Sequence, residues 1–273
     1  MEPIAPPPII SAPPPTPEPP PTFGGKLKKF LGPVGVVLFL ILKFGLKLKF
    51  LLPFLKTGGT MILSVGAYAM MWGWQFAVGF VLLIFVHECG HLLAARQHGL
   101  KVGAPVFIPF MGALIALKEA PKNAWIEAEV GIGGPLLGTL GAMACEMIYF
   151  LTGNPMYRAL AYTGFFLNLF NLAPIGFLDG GRIVTALSPW LWIVGFVIMI
   201  GMIVAHFNFL LLIILIMALP RLFSLFRQKT DEERRYFEVT PQQRLKMGAM
   251  YFGLIAFLVY GMKLTLIPHD ALH

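Results

Sequence analysis

The sequence predicts an all-α polytopic membrane protein with six or seven transmembrane helices and one small re-entrant β-hairpin. Three observations carry this prediction. Apolar residues make up 57% of the 273-residue chain and charged residues only 12%, against about 45–50% and about 25% in soluble domains. Apolar stretches near the length of a bilayer crossing recur along the chain. The basic residues behind the net charge of +8 flank those stretches, a distribution that reads as membrane topology and not as a nucleic-acid surface.

Residues 1–25 form the first section. Its first 22 residues contain eleven prolines and no basic side chain, a composition that cannot build a packed core and predicts a disordered tail. A plain spacer is the preferred reading of this tail, with a proline-motif partner as the alternative. The opening MEPIAPPPIISAPPP lacks the basic-then-apolar order of a leader, so no cleaved signal is expected. Residues 26–56 mix apolar side chains with Lys26, Lys28, Lys29, Lys43, Lys47, Lys49 and Lys56, and predict a basic segment lying along the interface. A catalytic membrane core is expected over 57–185, and further transmembrane helices over 186–273. Cys89 and Cys145 sit in apolar runs and suggest no disulfide framework.

The candidate spans fall near 52–72, 75–96, 125–151, 158–178, 190–206, 208–220 and 247–263. Two are short, and Gly58-Gly59 interrupts the first, hence six or seven. Seven Lys/Arg lie before or at the start of the first span, the last of them Lys56, four lie between 96 and 122, and seven lie in the basic loop 221–246; the connections near 73, 152–157 and 206–208 have none. By the positive-inside rule the N-terminus and both basic loops are cytoplasmic, and an odd count of seven places the C-terminus outside. The segment 102–117, VGAPVFIPFMGALIAL, is apolar, but Gly103, Pro105, Pro109 and Gly112 spoil a helix. It reads as a re-entrant strand pair, tolerated at membrane depth where protein or a wet cavity covers it.

Residues 81–95, VLLIFVHECGHLLAA, place three ionisable groups in a run suited to lipid. Each costs about 2.5–3.5 kcal/mol at the centre of a bilayer. On a helix His87 and His91 share one face, and two neutral imidazoles suit Zn²⁺, with Glu88 beside them as a general base. A cation also balances the buried carboxylate. A hydrolytic zinc site wants a third protein ligand. Asp231 and Asp270 lie in a charged loop and near the end of the chain, whereas Asp179 ends an apolar span at the cytoplasmic depth expected of the two histidines. His98, His206, His269 and His273 read as interfacial or solvated.

HECGH, followed by NLAPIGFLDGG, resembles the site-2 protease family of intramembrane zinc metalloproteases. The family pattern H-E-x-x-H with N-x-x-P-x-x-x-x-D-G is met at His87, Glu88, His91, Asn171, Pro174, Asp179 and Gly180. GIGGPLLG at 131–138 is similar to the glycine–proline segment that opens the family's middle core helix. The resemblance covers residues from about 75 to 185. It implies that His87, His91 and Asp179 hold Zn²⁺, that Glu88 is the base, and that Asn171 holds substrate or polarises the scissile carbonyl. Asn168, one turn earlier, can share that face. The resemblance also implies that 102–117 is a hairpin offering an edge strand to an extended substrate. No polar stretch is long enough for the PDZ or CBS domain that many relatives carry.

The expected function is therefore hydrolysis of peptide bonds in or near transmembrane segments of membrane-protein substrates, close to the cytoplasmic face. The expected location is the lipid bilayer of a bacterial cell (inner) membrane, with the N-terminus in the cytoplasm and no nucleic-acid partner. The alternative is a zinc-binding transporter or scaffold without proteolysis. Such a protein would place polar groups along a path, often in repeated halves. The sequence has no such repeat, and Glu127, Glu129 and Glu146 are the further acids in or beside the spans.

Overall fold

The computed structural model describes residues 56–110, 112–115, 119–176, 178–224, 226–227 and 230–266. The proline-rich tail and nearly all of the basic segment expected at 26–56 lie outside them. Helix α1 covers 56–72 and passes through Gly58-Gly59 unbroken, where the sequence reading had an interruption. Next come α2 (Trp74–Gln97), the strands β1 (Val106–Ile108) and β2 (Gly112–Leu114), α3 (Ala124–Thr152) and α4 (Pro155–Asn171). The short α5 (Asp179–Leu187), α6 (Leu191–Ala205), α7 (Phe209–Phe223), α8 (Asp231–Tyr236) and α9 (Pro241–Thr265) complete the order.

Each of the seven apolar stretches read from the sequence contains a helix. Among the described residues, α2, α3 and α9 are long and apolar enough to cross a membrane; α6 and the Leu211–Phe223 part of α7 are shorter apolar helices. Polar side chains set the ends. Asn123 Oδ1 accepts from Ile126 N–H at 2.9 Å to start α3, and Asn154 Oδ1 accepts from Met156 N–H at 3.0 Å to start α4. Thr240 and Gln243 form a reciprocal capping box on α9.

The core is built on α3, which packs against α2, α4 and α5. Between α2 and α3 the backbones themselves meet, since a Cβ on Gly90 would stand 2.1 Å from Gly133 O. Ala128, Ile132, Phe165, Leu172, Ile183, Val184, Trp192, Tyr251 and Leu258 make one buried cluster joining α3, α4, α5, α6 and α9. Tyr251 also donates to Leu172 O at 2.6 Å, tying α9 to the turn that leads into α5.

The strand pair expected over 102–117 is present as an antiparallel hairpin, with Phe107 opposite Ala113. Its β1 side is closed by α1. Phe107 N–H donates to Thr60 Oγ1 at 3.1 Å, Thr57 Oγ1 donates to Pro105 O at 2.8 Å, and Phe110 N–H donates to Tyr68 Oη at 3.0 Å. Phe110 occupies the left-handed region at φ 65°, a conformation costly for a bulky residue. Its ring lies edge-on to Tyr68.

Candidate metal centre

His87 and His91 stand one turn apart on α2 and are 3% and 7% exposed. Each imidazole commits its Nδ1 proton away from the other. His91 Nδ1 lies 2.8 Å from Val130 O, and a carbonyl can only accept. Pro135 has no N–H to give to Gly131 O, and one residue earlier the Val130 carbonyl takes the histidine proton. His87 Nδ1 lies 2.8 Å from Asn168 Oδ1. The Asn168 amide is held the right way round because its Nδ2 donates to Gly164 O at 2.7 Å; a flipped amide would set two oxygens against each other.

Both Nε2 atoms therefore carry lone pairs, and they face each other at 3.1 Å. Asp179 Oδ2, from the first residue of α5, lies 3.1 Å from His87 Nε2 and 3.2 Å from His91 Nε2. Three acceptors converge in a buried place with no proton of their own to share, which calls for a cation. Ligands about 2.0–2.1 Å from a tetrahedral zinc ion stand about 3.3 Å apart, close to the observed triangle. Among the described residues, His87, His91 and Asp179 are the group of side chains that could hold a metal ion. Two nitrogens and one carboxylate oxygen suit zinc.

The sequence-derived candidates fall out as follows. His87, His91 and Asp179 are brought together. Glu88 is 8% exposed, and its carboxyl is within electrostatic reach of His87, Asp179 and Arg182. Asn171 is half-buried, and its amide donates to Leu167 O at 3.0 Å in its own helix; it forms no hydrogen bond with the three converging residues. Val130 O and Asn168 were not assigned to this place from sequence. The glycine run at 131–138 held a signal for it, because a Cβ on Gly134 would stand 2.2 Å from His91 Nε2. That position is a hole shaped for an imidazole.

A polar clasp joins α3, α5, α7 and α8. Arg221 donates to Glu127 Oε1 at 2.7 Å and to Thr185 Oγ1 at 3.0 Å, and its guanidinium lies 4.9 Å from the Trp192 ring centre. Tyr236 donates to Glu127 Oε2 at 2.8 Å. Burial first, and then the neighbouring Glu127, push the Tyr236 hydroxyl above its ordinary pKa. Trp192 Nε1 donates to Gly181 O at 3.0 Å, two residues from Asp179.

Residues 75–164 match the model of peptidase family M50. This bears out the resemblance to site-2 proteases. The match takes in α2, the hairpin, α3 and more than half of α4; Asp179 lies beyond it. The chain is 29% identical over 130 residues to the zinc metalloprotease MJ0392 of Methanocaldococcus jannaschii, covering 46% of this chain and 37% of that protein. It is 30% identical over 141 residues to Rip3 of Mycobacterium tuberculosis, provisionally named a zinc metalloprotease, covering 47% and 35%. A rice chloroplast protein, EGY2, provisionally named likewise, is 28% identical over 150 residues, covering 38% and 27%. The chain thus spans between about a quarter and little more than a third of the length of these curated relatives.

Proposed function

We propose that this chain is an intramembrane zinc metalloprotease that hydrolyses peptide bonds in or near transmembrane segments of membrane proteins, close to the cytoplasmic face. One observation carries the reading. Two imidazoles with bare Nε2 atoms and one carboxylate converge on a single point, and the residue between the imidazoles in sequence is Glu88. His87, His91 and Asp179 would hold the ion. Zinc, when bound, supplies a Lewis acid and makes water acidic enough to attack at neutral pH.

Glu88 takes the proton of the attacking water and returns it to the leaving amine. Asn171, at the last residue of α4, contributes its amide to the substrate or to the developing oxyanion. The substrate extends along β2. In an antiparallel pair, backbone groups face alternately inward and outward; because Phe107 N–H faces α1, its partner Ala113 presents its own N–H and C=O to the opposite edge. Strand addition there holds a peptide extended for cleavage. The basic flanks support a multi-pass chain in a bacterial inner membrane with a cytoplasmic N-terminus, in which the shorter helices span together with α2, α3 and α9.

The test pairs wild type with Glu88→Gln, both zinc-loaded, on a transmembrane peptide containing helix-weakening Gly or Pro. Gln cannot accept the proton, and loss of a general base costs about 10²–10⁴ in rate. Cleavage by wild type alone is the expected result. Equal cleavage by both would point to a contaminating protease, and cleavage by neither would favour a non-proteolytic zinc protein.

A further inference from the structure

Asn168 is 1% exposed in the last turn of α4, and both ends of its amide are engaged. Oδ1 accepts from His87 Nδ1 at 2.8 Å, and Nδ2 donates to Gly164 O at 2.7 Å. Space for the amide comes from α3, where a Cβ on Gly138 would stand 2.2 Å from Asn168 Oδ1. Three helices thus meet at one carboxamide: α4 supplies it, α3 leaves room for it, and α2 receives it. A buried amide whose only function is packing is expensive to desolvate, and leucine has the same number of side-chain heavy atoms without that cost. What the amide adds is an acceptor aimed at one imidazole nitrogen.

We propose that Asn168 is a positioning residue, which locks His87 in the Nδ1–H tautomer and aims its Nε2 at Asp179. The inference rests on the zinc reading above. An imidazole without an acceptor at Nδ1 carries its proton mainly on Nε2, the atom needed for ligation, and is free to turn about its χ2 bond. Asn168 removes both freedoms before any ion arrives. His91 receives the same service from a backbone carbonyl, Val130 O, so Asn168 is the side chain on which the arrangement can be tested. The residue does not touch substrate in this account, and its effect passes through His87.

The decisive measurement uses the full chain in detergent. In metal-stripped wild type with ¹⁵N-labelled histidine, His87 should carry a proton on Nδ1; a His87 protonated on Nε2 alone, with Nδ1 bare, overturns the proposal without any variant, so failure of a mutant to fold cannot shield it. Zinc affinity is then read by chelator competition. Asn168→Leu should bind zinc about 10–100-fold more weakly, the range for losing an outer hydrogen bond to a ligating histidine. Asn168→Asp keeps an oxygen acceptor and should stay within about tenfold of wild type, since carboxylates commonly fill this role. Cobalt-loaded Asn168→Leu should also show a shifted visible spectrum. Asn168→Leu within tenfold of wild type, or Asn168→Asp as weak as Asn168→Leu, overturns the assignment while leaving the zinc reading intact. Wild type that binds no zinc overturns both.

Discussion

At Asp179 the carboxylate faces two imidazoles whose Nδ1 protons are already committed. Asp179→Ala should therefore leave two nitrogen ligands that hold zinc poorly, and metal analysis of the purified variant should find its zinc content well below one per chain. Asn171→Ala should behave in the opposite way. Its amide bonds within α4 and to none of His87, His91 and Asp179, so zinc occupancy should stay and turnover fall, by about 10²–10³ for loss of an oxyanion donor. At this scale much was legible in the sequence. The i, i+4 spacing put His87 and His91 on one face, and the scarcity of aspartate pointed to Asp179. Asn168 was harder to place, because its contact crosses 81 residues and helical periodicity speaks only of neighbours on the same helix.

Among the elements, α3 does more than span. Gly134 and Gly138, one turn apart, leave hollows for His91 and Asn168. Gly134→Ala should push His91 Nε2 off its mark and lower zinc affinity, with little loss of helicity, because alanine itself favours a helix. Gly253→Ala, on α9 where a Cβ meets nothing within 4 Å, is the control and should leave zinc affinity unchanged; chelator competition on the two variants separates a filled hollow from a general glycine effect. Hydropathy found the helices but not their exact reach. It placed a break at Gly58-Gly59, where α1 continues. It also left open how many stretches span, since helices of 15 residues such as α6 and α7 fall short of about 20 residues for a straight crossing. The hairpin was legible from Pro105, Pro109 and Gly112; its closure by Thr57, Thr60 and Tyr68 of α1 was not, because hydroxyl partners leave no periodic trace.

Across the whole molecule, the clasp of Glu127, Arg221, Thr185 and Tyr236 binds the 221–246 region to the short helix that starts with Asp179. Arg221→Leu should cost about 1–3 kcal/mol, less than the 3–5 of a fully buried broken pair, because the Arg221 side chain is 30% exposed. A lowered midpoint in thermal unfolding and faster protease cutting near 225–240 would report it. Tyr236 adds a dependence on pH. Its hydroxyl titrates later in the folded chain than its ordinary value of 10.0, so the folded state holds the proton more tightly. Its contribution is whole below pH 10 and fades as pH rises beyond that. Tyr236→Phe should remove this part of the alkaline loss, seen as a shallower fall of unfolding midpoint above pH 10.

The distance along the chain between the ligands has a consequence for biogenesis. Asp179 meets His87 across 92 residues, so at about 5–20 residues per second of synthesis the ribosome delivers both histidines roughly 5–20 s before the aspartate exists. Until α5 docks, the two imidazoles stand without the carboxylate that completes their triangle. The His87–His91–Asp179 triangle is therefore completed late, since it waits for α5 to pack against α3.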